Sequence, residues 1–306
     1  MKANFIFAFA LLAGLLVAGL LGSSASQAQG PGLDFSAIEI STIQLEPNIH
    51  VLMGGPAQGN VLVLTGTDGT FLVDSMYAPM HSKLLGALQD ITEQKVRYIV
   101  NTHLHGDHTA GNAAFAEEGA LVISQANTRD RMLAQNNPLP VATIPVLTYD
   151  TSMTIRMNGE TVDIFWPEAA HTDGDSIIYL RDANILHAGD VPSSLRYPNI
   201  GVNDGGTVAG MMAAARLIMK VANPQTRIIA GHLGPVVGFK EIEQQLVMFE
   251  AVSARIQTMI DEGKTLEQIL TAKPTAEFDA ARSAGAISAD QFVTLVHTDL
   301  SRADLN

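Results

Sequence analysis

The chain has 306 residues, of which 47% are hydrophobic and 16% charged, and it can form one large α/β domain or two small ones. This composition is typical of a packed globular protein and excludes a disordered chain. A formal net charge of −13 argues against binding to nucleic-acid phosphates or anionic lipid. Because the chain contains no cysteine, it has neither disulfides nor thiolate nucleophiles or ligands.

The first 28 residues have the pattern of a secretory signal peptide. Lys2 supplies a short positive start, residues 5–21 are apolar without a charge, and Ser26-Gln27-Ala28 offers small residues to a signal peptidase. The apolar run is also close to the lower length limit of a membrane-spanning helix, so a single membrane anchor is the alternative. We expect cleavage after Ala28 and a periplasmic or secreted protein that is not stably inserted in a membrane.

The first half of the remaining chain is rich in predicted strands. Apolar patterns and flanking turn residues predict strands over 38–45, 50–53, 60–65, 70–74, 96–101 and 121–124. A helix begins at Pro79, and further helices are predicted over 111–118 and 126–134. The segment 136–140 contains two prolines, breaks the preceding helix and begins a long irregular connection.

A second strand-rich section follows this connection. Strands are predicted over 153–157, 161–166, 176–180, 185–187 and 227–230, with Asn158-Gly159 as a hairpin turn. Helices are predicted over 208–222 and 240–260, followed by shorter ones. Two strand-rich halves with helices predict two stacked sheets covered by helices. We expect residues 29–306 to form a single domain with a helical C-terminal tail.

The chemistry is concentrated in residues 102–112, T-H-L-H-G-D-H-T-A-G-N, directly after a predicted buried strand. In an extended backbone, residues two apart point to the same side, so His103 and His105 can bind one ion together. Gly106 allows a sharp turn, after which Asp107 and His108 face a second position. Since the stretch holds three of the nine histidines, a metal site is favoured over a solvated polar loop.

Three further candidate ligands each follow a predicted strand: His171, Asp190 and His232. Loops at strand ends are common positions for functional side chains on α/β scaffolds. A lone histidine there is usually structural, and an aspartate after glycine is usually a turn residue. Their joint occurrence with the histidine stretch indicates that they belong to the same metal site.

In this order, the motif residues resemble those of the metallo-β-lactamase-fold hydrolases. Asp74, at the end of a predicted strand, matches the buried aspartate that supports the histidine loop in that family. The resemblance covers residues 43–239 and implies a four-layer αββα sandwich of two mixed β-sheets flanked by helices. It places a first metal on His103, His105 and His171. It places a second metal on Asp107, His108 and His232, with Asp190 bridging both.

Zinc is the expected metal, because the ligands are rich in nitrogen and hydrolysis needs no redox chemistry. Two zinc ions can share a hydroxide, since zinc lowers the pKa of a bound water to about 7. We expect this metal-bound hydroxide to attack an amide, lactone or ester carbonyl. Asp107 is expected to act in catalysis by orienting the nucleophile and passing on its proton.

Two departures from the family pattern bear on the substrate. Zinc β-lactamases of the first subclass carry a cysteine at the position of Asp190 and a lysine three positions later, where Ser193 stands here. A bridging aspartate resembles the glyoxalase II-like and lactonase-like members, which act on thioesters, lactones and related esters. Arg196 is a candidate for binding the substrate in place of the missing lysine, and a solvated loop arginine is the alternative.

The leading prediction is an exported dizinc hydrolase of small molecules, with β-lactams as the first substrate guess and a lactonase or thioesterase as the alternative. A mononuclear iron persulfide dioxygenase uses the equivalents of His103, His171 and Asp190, so iron stays a possible metal. A flavodiiron protein is disfavoured, because that branch usually has glutamate at the position of His105. The acidic charge disfavours a nuclease, and the complete ligand set disfavours a non-catalytic scaffold.

Overall fold

A computed structural model describes residues 32–55, 57–193, 195–232, 234 and 236–303. The predicted signal peptide, residues 1–28, lies outside the described residues, so its cleavage and the export of the protein stay predictions. Over these described ranges, no helix combines the length and the apolar character needed to cross a membrane.

The first sheet has seven strands that lie side by side in chain order. They are β1 Ser41–Glu46, β2 Ile49–Met53, β3 Val61–Leu64, β4 Thr70–Val73, β5 Val96–Val100, β6 Leu121–Gln125 and β7 Leu147–Tyr149. Strands β1 to β4 pair antiparallel, whereas β4 to β7 pair parallel, so the sheet is mixed. Parallel pairing brings the C-terminal ends of β4 and β5 to the same edge.

The second sheet has six strands in the order β13-β12-β11-β10-β9-β8. They are β8 Ser152–Met157, β9 Glu160–Phe165, β10 Ile177–Leu180, β11 Ile185–His187, β12 Arg227–Ile229 and β13 Val236–Val237. Only β11 and β12 pair parallel. The predicted hairpin turn joins β8 to β9, and its residues Asn158 and Gly159 have φ of 53° and 82°, as a tight type I′ turn requires.

Eight α-helices lie within the described residues. They are α1 His81–Gln89, α2 Gly106–Thr109, α3 Asn112–Glu117, α4 Ala126–Leu133, α5 Val208–Val221, α6 Phe239–Asp261, α7 Leu266–Ala272 and α8 Ala289–Ala303. Short 3-10 turns at Ala78–Met80, Val141–Thr143, Val202–Asp204 and Asp279–Arg282 connect other segments.

Three clusters of buried apolar side chains define the layers. The central cluster joins both sheets, with Phe71 of β4 packed together with Ile178 of β10. An outer cluster packs Leu84 of α1 against the first sheet, and another packs Phe249 of α6 against the second. Burial between the sheets and beneath both helical layers gives a four-layer αββα sandwich, which confirms the predicted fold class.

Two short strands, β7 and β13, were not predicted from the sequence. The supposedly irregular connection after 136–140 contains β7, whose three residues pair with β6 at the end of the sheet. Leu147 on β7 is 40% exposed, so the strand lacks the buried alternation that a sequence pattern detects. Strand β13 has only two residues, and its pairing with β12 is a tertiary contact without a local signal.

Candidate metal centre

The candidate ligands follow strands that end at one edge of the sandwich. Asp74 follows β4 and the histidine stretch follows β5, while Asp190 and His232 come after β11 and β12. Because each of these pairs of strands is parallel, the loops that follow them are neighbours. His171 joins them from the connection between β9 and β10.

Three histidine nitrogens converge in a first group. His105 Nδ1 lies 3.1 Å from His103 Nε2 and 3.0 Å from His171 Nε2. Zinc with nitrogen ligands at about 2.0–2.1 Å in a tetrahedron separates those ligands by about 3.4 Å, so the observed spacing is within a few tenths of an ångström of it. The three nitrogens can therefore bind one ion.

The other ring nitrogen of each histidine in this group is bound to an acceptor. The contacts are His103 Nδ1 with Thr102 Oγ1 at 3.0 Å, His105 Nε2 with Asp204 Oδ2 at 3.1 Å, and His171 Nδ1 with the Asn199 carbonyl at 3.0 Å. The Thr102 hydroxyl donates to Asp74, so its oxygen is free to accept from His103. Outer N–H groups engaged in this way leave the inner nitrogens with lone pairs directed at the centre.

A second group adjoins the first. His232 Nε2 lies 3.3 Å from His108 Nε2 and 3.1 Å from Asp107 Oδ2. Asp190 lies between the two groups, with its oxygens 3.5 Å from His108, 3.4 Å from His232 and 3.8 Å from His171. Asp190 thus adjoins both groups, while its sharing by two ions and the assignment of each residue to one ion stay predictions.

Two buried polar atoms of the centre, one on Asp190 and one on His232, have no hydrogen bond among the described residues. Asp190 Oδ1 is buried and has no hydrogen bond within the described chain. An unpaired buried carboxylate oxygen is costly, and a bound cation would remove this cost. The donor set of five histidines and two aspartates is that of a site for zinc or a similar transition metal. The residues present therefore fit a metal centre.

The electrostatics of the two groups differ. Burial, together with the neighbouring histidines, holds the pKa of His103 well below its usual range, so this ring is neutral and ready to bind a metal. Burial alone would lower the pKa of His232, but the charges of Asp190 and Asp107 outweigh it and raise the pKa to about 9. The second group is thus built to hold positive charge, which a metal ion supplies.

Comparison with known proteins identifies the family. A family model described as the metallo-beta-lactamase superfamily matches residues 54–232, which is more than half of the chain. The chain belongs to this superfamily. The matched segment includes every candidate metal ligand and Asp74, and these matches support the prediction of a metal-dependent hydrolase.

Among its curated relatives is a metallo-beta-lactamase type 2 of Bacillus sp. (strain 170), 27% identical over 172 residues. That alignment covers 53% of this chain and 64% of the relative. A hydroxyacylglutathione hydrolase of Rhodobacter capsulatus is 30% identical over 169 residues, with 55% of this chain and 59% of the relative covered. The chain thus spans somewhat under two thirds of the length of these relatives.

A solved structure with the same fold is a metallo-beta-lactamase from Pontibacter korlensis. It superposes with a TM-score of 0.60 at 20% sequence identity and covers 69% of this chain and 99% of that one. At this identity the likeness shows the shared superfamily fold. The C-terminal helices α6 to α8 lie beyond residue 232, where the segment matched by the family model ends.

Asp74 lies beneath the second group, as the resemblance implied. Its carboxylate is fully buried and accepts hydrogen bonds from the Thr102 backbone N–H at 2.7 Å and hydroxyl at 2.8 Å, and it lies 2.7 Å from His108 Nδ1. The φ of Asp74 is 68°, a conformation that costs energy for a residue with a side chain. This strained residue orients the histidine loop and directs His108 Nε2 at the centre.

Two supporting residues were missed or left undecided by sequence reasoning. Asp204 binds His105, but it stands in a glycine-rich loop without any pattern that marks it. His187 donates from Nε2 to the carbonyl of Asn60 at 3.0 Å and accepts the Gly189 N–H on Nδ1 at 3.2 Å. His187 thereby ties the loop that carries Asp190 to the residues before β3, a role that depends on contacts distant in sequence.

Replacing Asp204 by alanine should weaken metal binding about 10–100-fold, because His105 then loses the acceptor that fixes its ring. Competition for zinc with a chromophoric chelator measures this change. Asp150→Ala, at an exposed position away from the centre, is the matched control and should leave zinc affinity unchanged. Equal affinity in Asp204→Ala and the control would contradict the role of Asp204.

Gly231 is required by the close approach of its backbone to Asp190. A Cβ at this position would lie 2.1 Å from Asp190 Oδ1, and its N–H donates to the Gly189 carbonyl at 2.6 Å. Gly231→Ala should therefore displace the Asp190 carboxylate and lower zinc affinity by about tenfold or more, as measured by metal content after dialysis. Gly86→Ala, where a Cβ meets nothing within 4 Å, is the control. Undiminished metal content in Gly231→Ala would contradict the claim that the absence of a side chain at residue 231 allows Asp190 to bind metal.

The centre opens into a cleft of about 390 Å³. His105, Asp107, Asp190 and His232 form part of its lining, so the candidate ligands are accessible to a small molecule. Arg196 also lines the cleft and is the one lysine or arginine among its described lining residues. The arginine predicted from the sequence is thus located beside the centre.

Proposed function

We propose that the protein is a dizinc hydrolase that opens amide, lactone or ester carbonyls, with β-lactams as the leading substrates. The observation that carries this proposal is the placement of Asp190 between two adjoining groups of ligands. A mononuclear iron dioxygenase uses the equivalents of His103, His171 and Asp190, whereas here Asp107, His108 and His232 also converge, with 3.1–3.4 Å between their polar atoms. The second group therefore favours two ions over one.

In the proposed centre, His103, His105 and His171 would hold the first ion, Asp107, His108 and His232 would hold the second, and Asp190 would be shared by both. When bound, zinc polarises a carbonyl oxygen and brings the pKa of water to about 7. His103, His105 and His171 are each held by an outer hydrogen-bond partner, so this group is preorganised before a substrate enters.

Asp107 is placed to handle the proton. Burial alone would raise the pKa of its carboxyl, but the charges and hydrogen bonds of His108 and His232 hold the pKa well below its usual range. The side chain is 16% exposed and lines the cleft. The lowered pKa keeps this carboxylate ionised, so that it can orient the attacking water, and we propose that it also passes the proton of that water to the leaving group.

Two kinds of relative support two substrate classes. The Bacillus relative is named as a metallo-beta-lactamase, and Arg196, which lines the cleft, can bind the carboxylate of a β-lactam in place of the missing lysine. The Rhodobacter relative is named as a hydroxyacylglutathione hydrolase, and Asp190 fits that thioester- and lactone-cleaving branch. A lactonase or thioesterase is therefore the second candidate function.

We also propose that the enzyme is exported and acts in the periplasm or outside the cell. The support is the charged start, the apolar run and the small residues that end at Ala28. N-terminal sequencing of protein from a periplasmic fraction tests this proposal. A mature chain that begins close to residue 29 is expected, and an uncleaved chain in the cytoplasm would contradict it.

The proposed activity is tested on a chromogenic cephalosporin, an acyl-homoserine lactone and a small thioester. We expect turnover of at least one substrate, with loss of activity after chelation and recovery when zinc is added. Cephalosporin turnover would support β-lactamase activity, and turnover of the other two alone would support the second candidate. Activity that returns only with iron would contradict a zinc hydrolase.

A further inference from the structure

One wall of the cleft comes from the C-terminal part of the chain. Ala286 and Ile287 line the same cleft as the candidate metal ligands, although they lie more than fifty residues beyond the matched superfamily segment, which ends at residue 232. They belong to residues 282–287, hereafter the tail loop, which connects the 3-10 turn Asp279–Arg282 to α8. The tail loop therefore adds to the cleft a surface that the family match does not include.

The tail loop is firmly attached to the residues around Arg196. Arg196 forms an antiparallel β-bridge with Ser283, and the Ala284 N–H donates to the Leu195 carbonyl at 3.0 Å. Arg282 is 6% exposed, and its guanidinium donates to the carbonyls of Ser193 and Arg196. Burial lowers the pKa of Arg282, so the protein bears a desolvation cost to hold these segments together.

Among the described residues, the side chain of Arg196 forms no ion pair. No carboxylate of the described residues lies within 4.0 Å of its guanidinium, although Asp107, Asp190 and Asp204 line the same cleft. Gly285 leaves room for this side chain, because a Cβ at Gly285 would lie 2.4 Å from Arg196 Cβ and 3.1 Å from its Cδ. The tail loop thus fixes the backbone of Arg196 and limits the path of its side chain. The guanidinium of Arg196 is therefore available to bind an anionic group of a ligand.

We infer that the tail loop is a specificity element, which positions Arg196 for a negatively charged group of the substrate and offers Ile287 to an adjoining apolar group. The substrate class is an anionic carbonyl compound with an apolar substituent. This inference deepens the proposed function and rests on the same cleft. It concerns binding alone, so a measurement without turnover separates it from the hydrolase proposal.

The test uses two fluorescent probes that differ in one charged group. The probe 8-anilinonaphthalene-1-sulfonate carries an anion on apolar rings, and N-phenyl-1-naphthylamine has the same rings without the sulfonate. Binding of each probe to the zinc-loaded protein is titrated for the wild type, Arg196→Gln, Gly285→Ala, Ile287→Ser and the control Gly86→Ala. Melting temperature and zinc content are measured for each variant, so that misfolding is recognised.

We expect Arg196→Gln and Gly285→Ala to weaken the sulfonate probe about tenfold without affecting the neutral probe, because only the first probe uses the cation. Ile287→Ser should weaken both probes, and Gly86→Ala neither. Equal losses for the two probes in Arg196→Gln and Gly285→Ala, or no loss for either, would overturn the inference. Failure of the wild type to bind the sulfonate probe would overturn it as well, whether or not the protein hydrolyses any substrate.

Discussion

Replacing Asp107 by asparagine is expected to lower kcat by about 10²–10⁴-fold, which is the usual contribution of a positioned acid or base. The substitution keeps the size of the side chain but removes the charge that lies 3.1 Å from His232 Nε2. Steady-state kinetics with the best substrate from the panel of cephalosporin, lactone and thioester measures the effect.

Zinc content must be determined in the same preparation, because Asp107 is also a proposed ligand of the second ion. If Asp107→Asn retains both ions and loses turnover, the lower rate results from the loss of proton transfer by Asp107. If zinc is lost as well, excess zinc should restore the metal but not the rate. An Asp107→Asn variant as active as the wild type would rule out the catalytic role of Asp107.

Removal of the metals should lower the melting temperature by about 10 °C or more. A ligand held at 1,000 times its dissociation constant stabilises the native state by about 4 kcal/mol, and 1 kcal/mol corresponds to roughly 2–4 °C for a domain of this size. Without metal, Asp190 Oδ1 is buried and has no hydrogen bond, and the second group must hold its charge without an ion. Calorimetry of the protein with and without chelator measures the change.

A variant with a damaged centre supplies the control for this experiment. Asp190→Ala removes the residue that lies between the two groups, so chelation should shift its melting temperature much less than that of the wild type. Identical melting temperatures of the wild-type protein with and without chelator would mean that the centre contributes nothing to stability. That result would contradict tight metal binding by these residues.

Most of the framework was predictable, because long or well-patterned segments carry their own signal. The strand Ile185–His187 and the helix Val208–Val221 lie within a residue of their predicted bounds. The short edge strand Leu147–Tyr149 was missed, since three partly exposed residues pair only because β6 offers them a partner.

In the candidate site, too, residues within a local sequence pattern were predictable, and residues that act through long-range contacts were not. The ligand types were recognisable because histidines and aspartates stand at strand ends in a family-like order, and the sheets bring them together. Asp204 and the tail loop could not be recognised, because their contacts span 99 residues in the His105–Asp204 pair and 86 in the Arg196–Arg282 pair. These contacts form only when the chain folds, and the spacing of residues along the sequence does not predict them.

The proposed chemistry depends most on two adjacent zinc sites that share Asp190. Titration of the metal-free protein with zinc, with bound metal counted by mass spectrometry under native conditions, tests this claim directly. We predict saturation at two zinc ions per chain, and at fewer in Asp190→Ala. Saturation of the wild type at one ion, or a centre that retains iron in preference to zinc, would contradict the dizinc account.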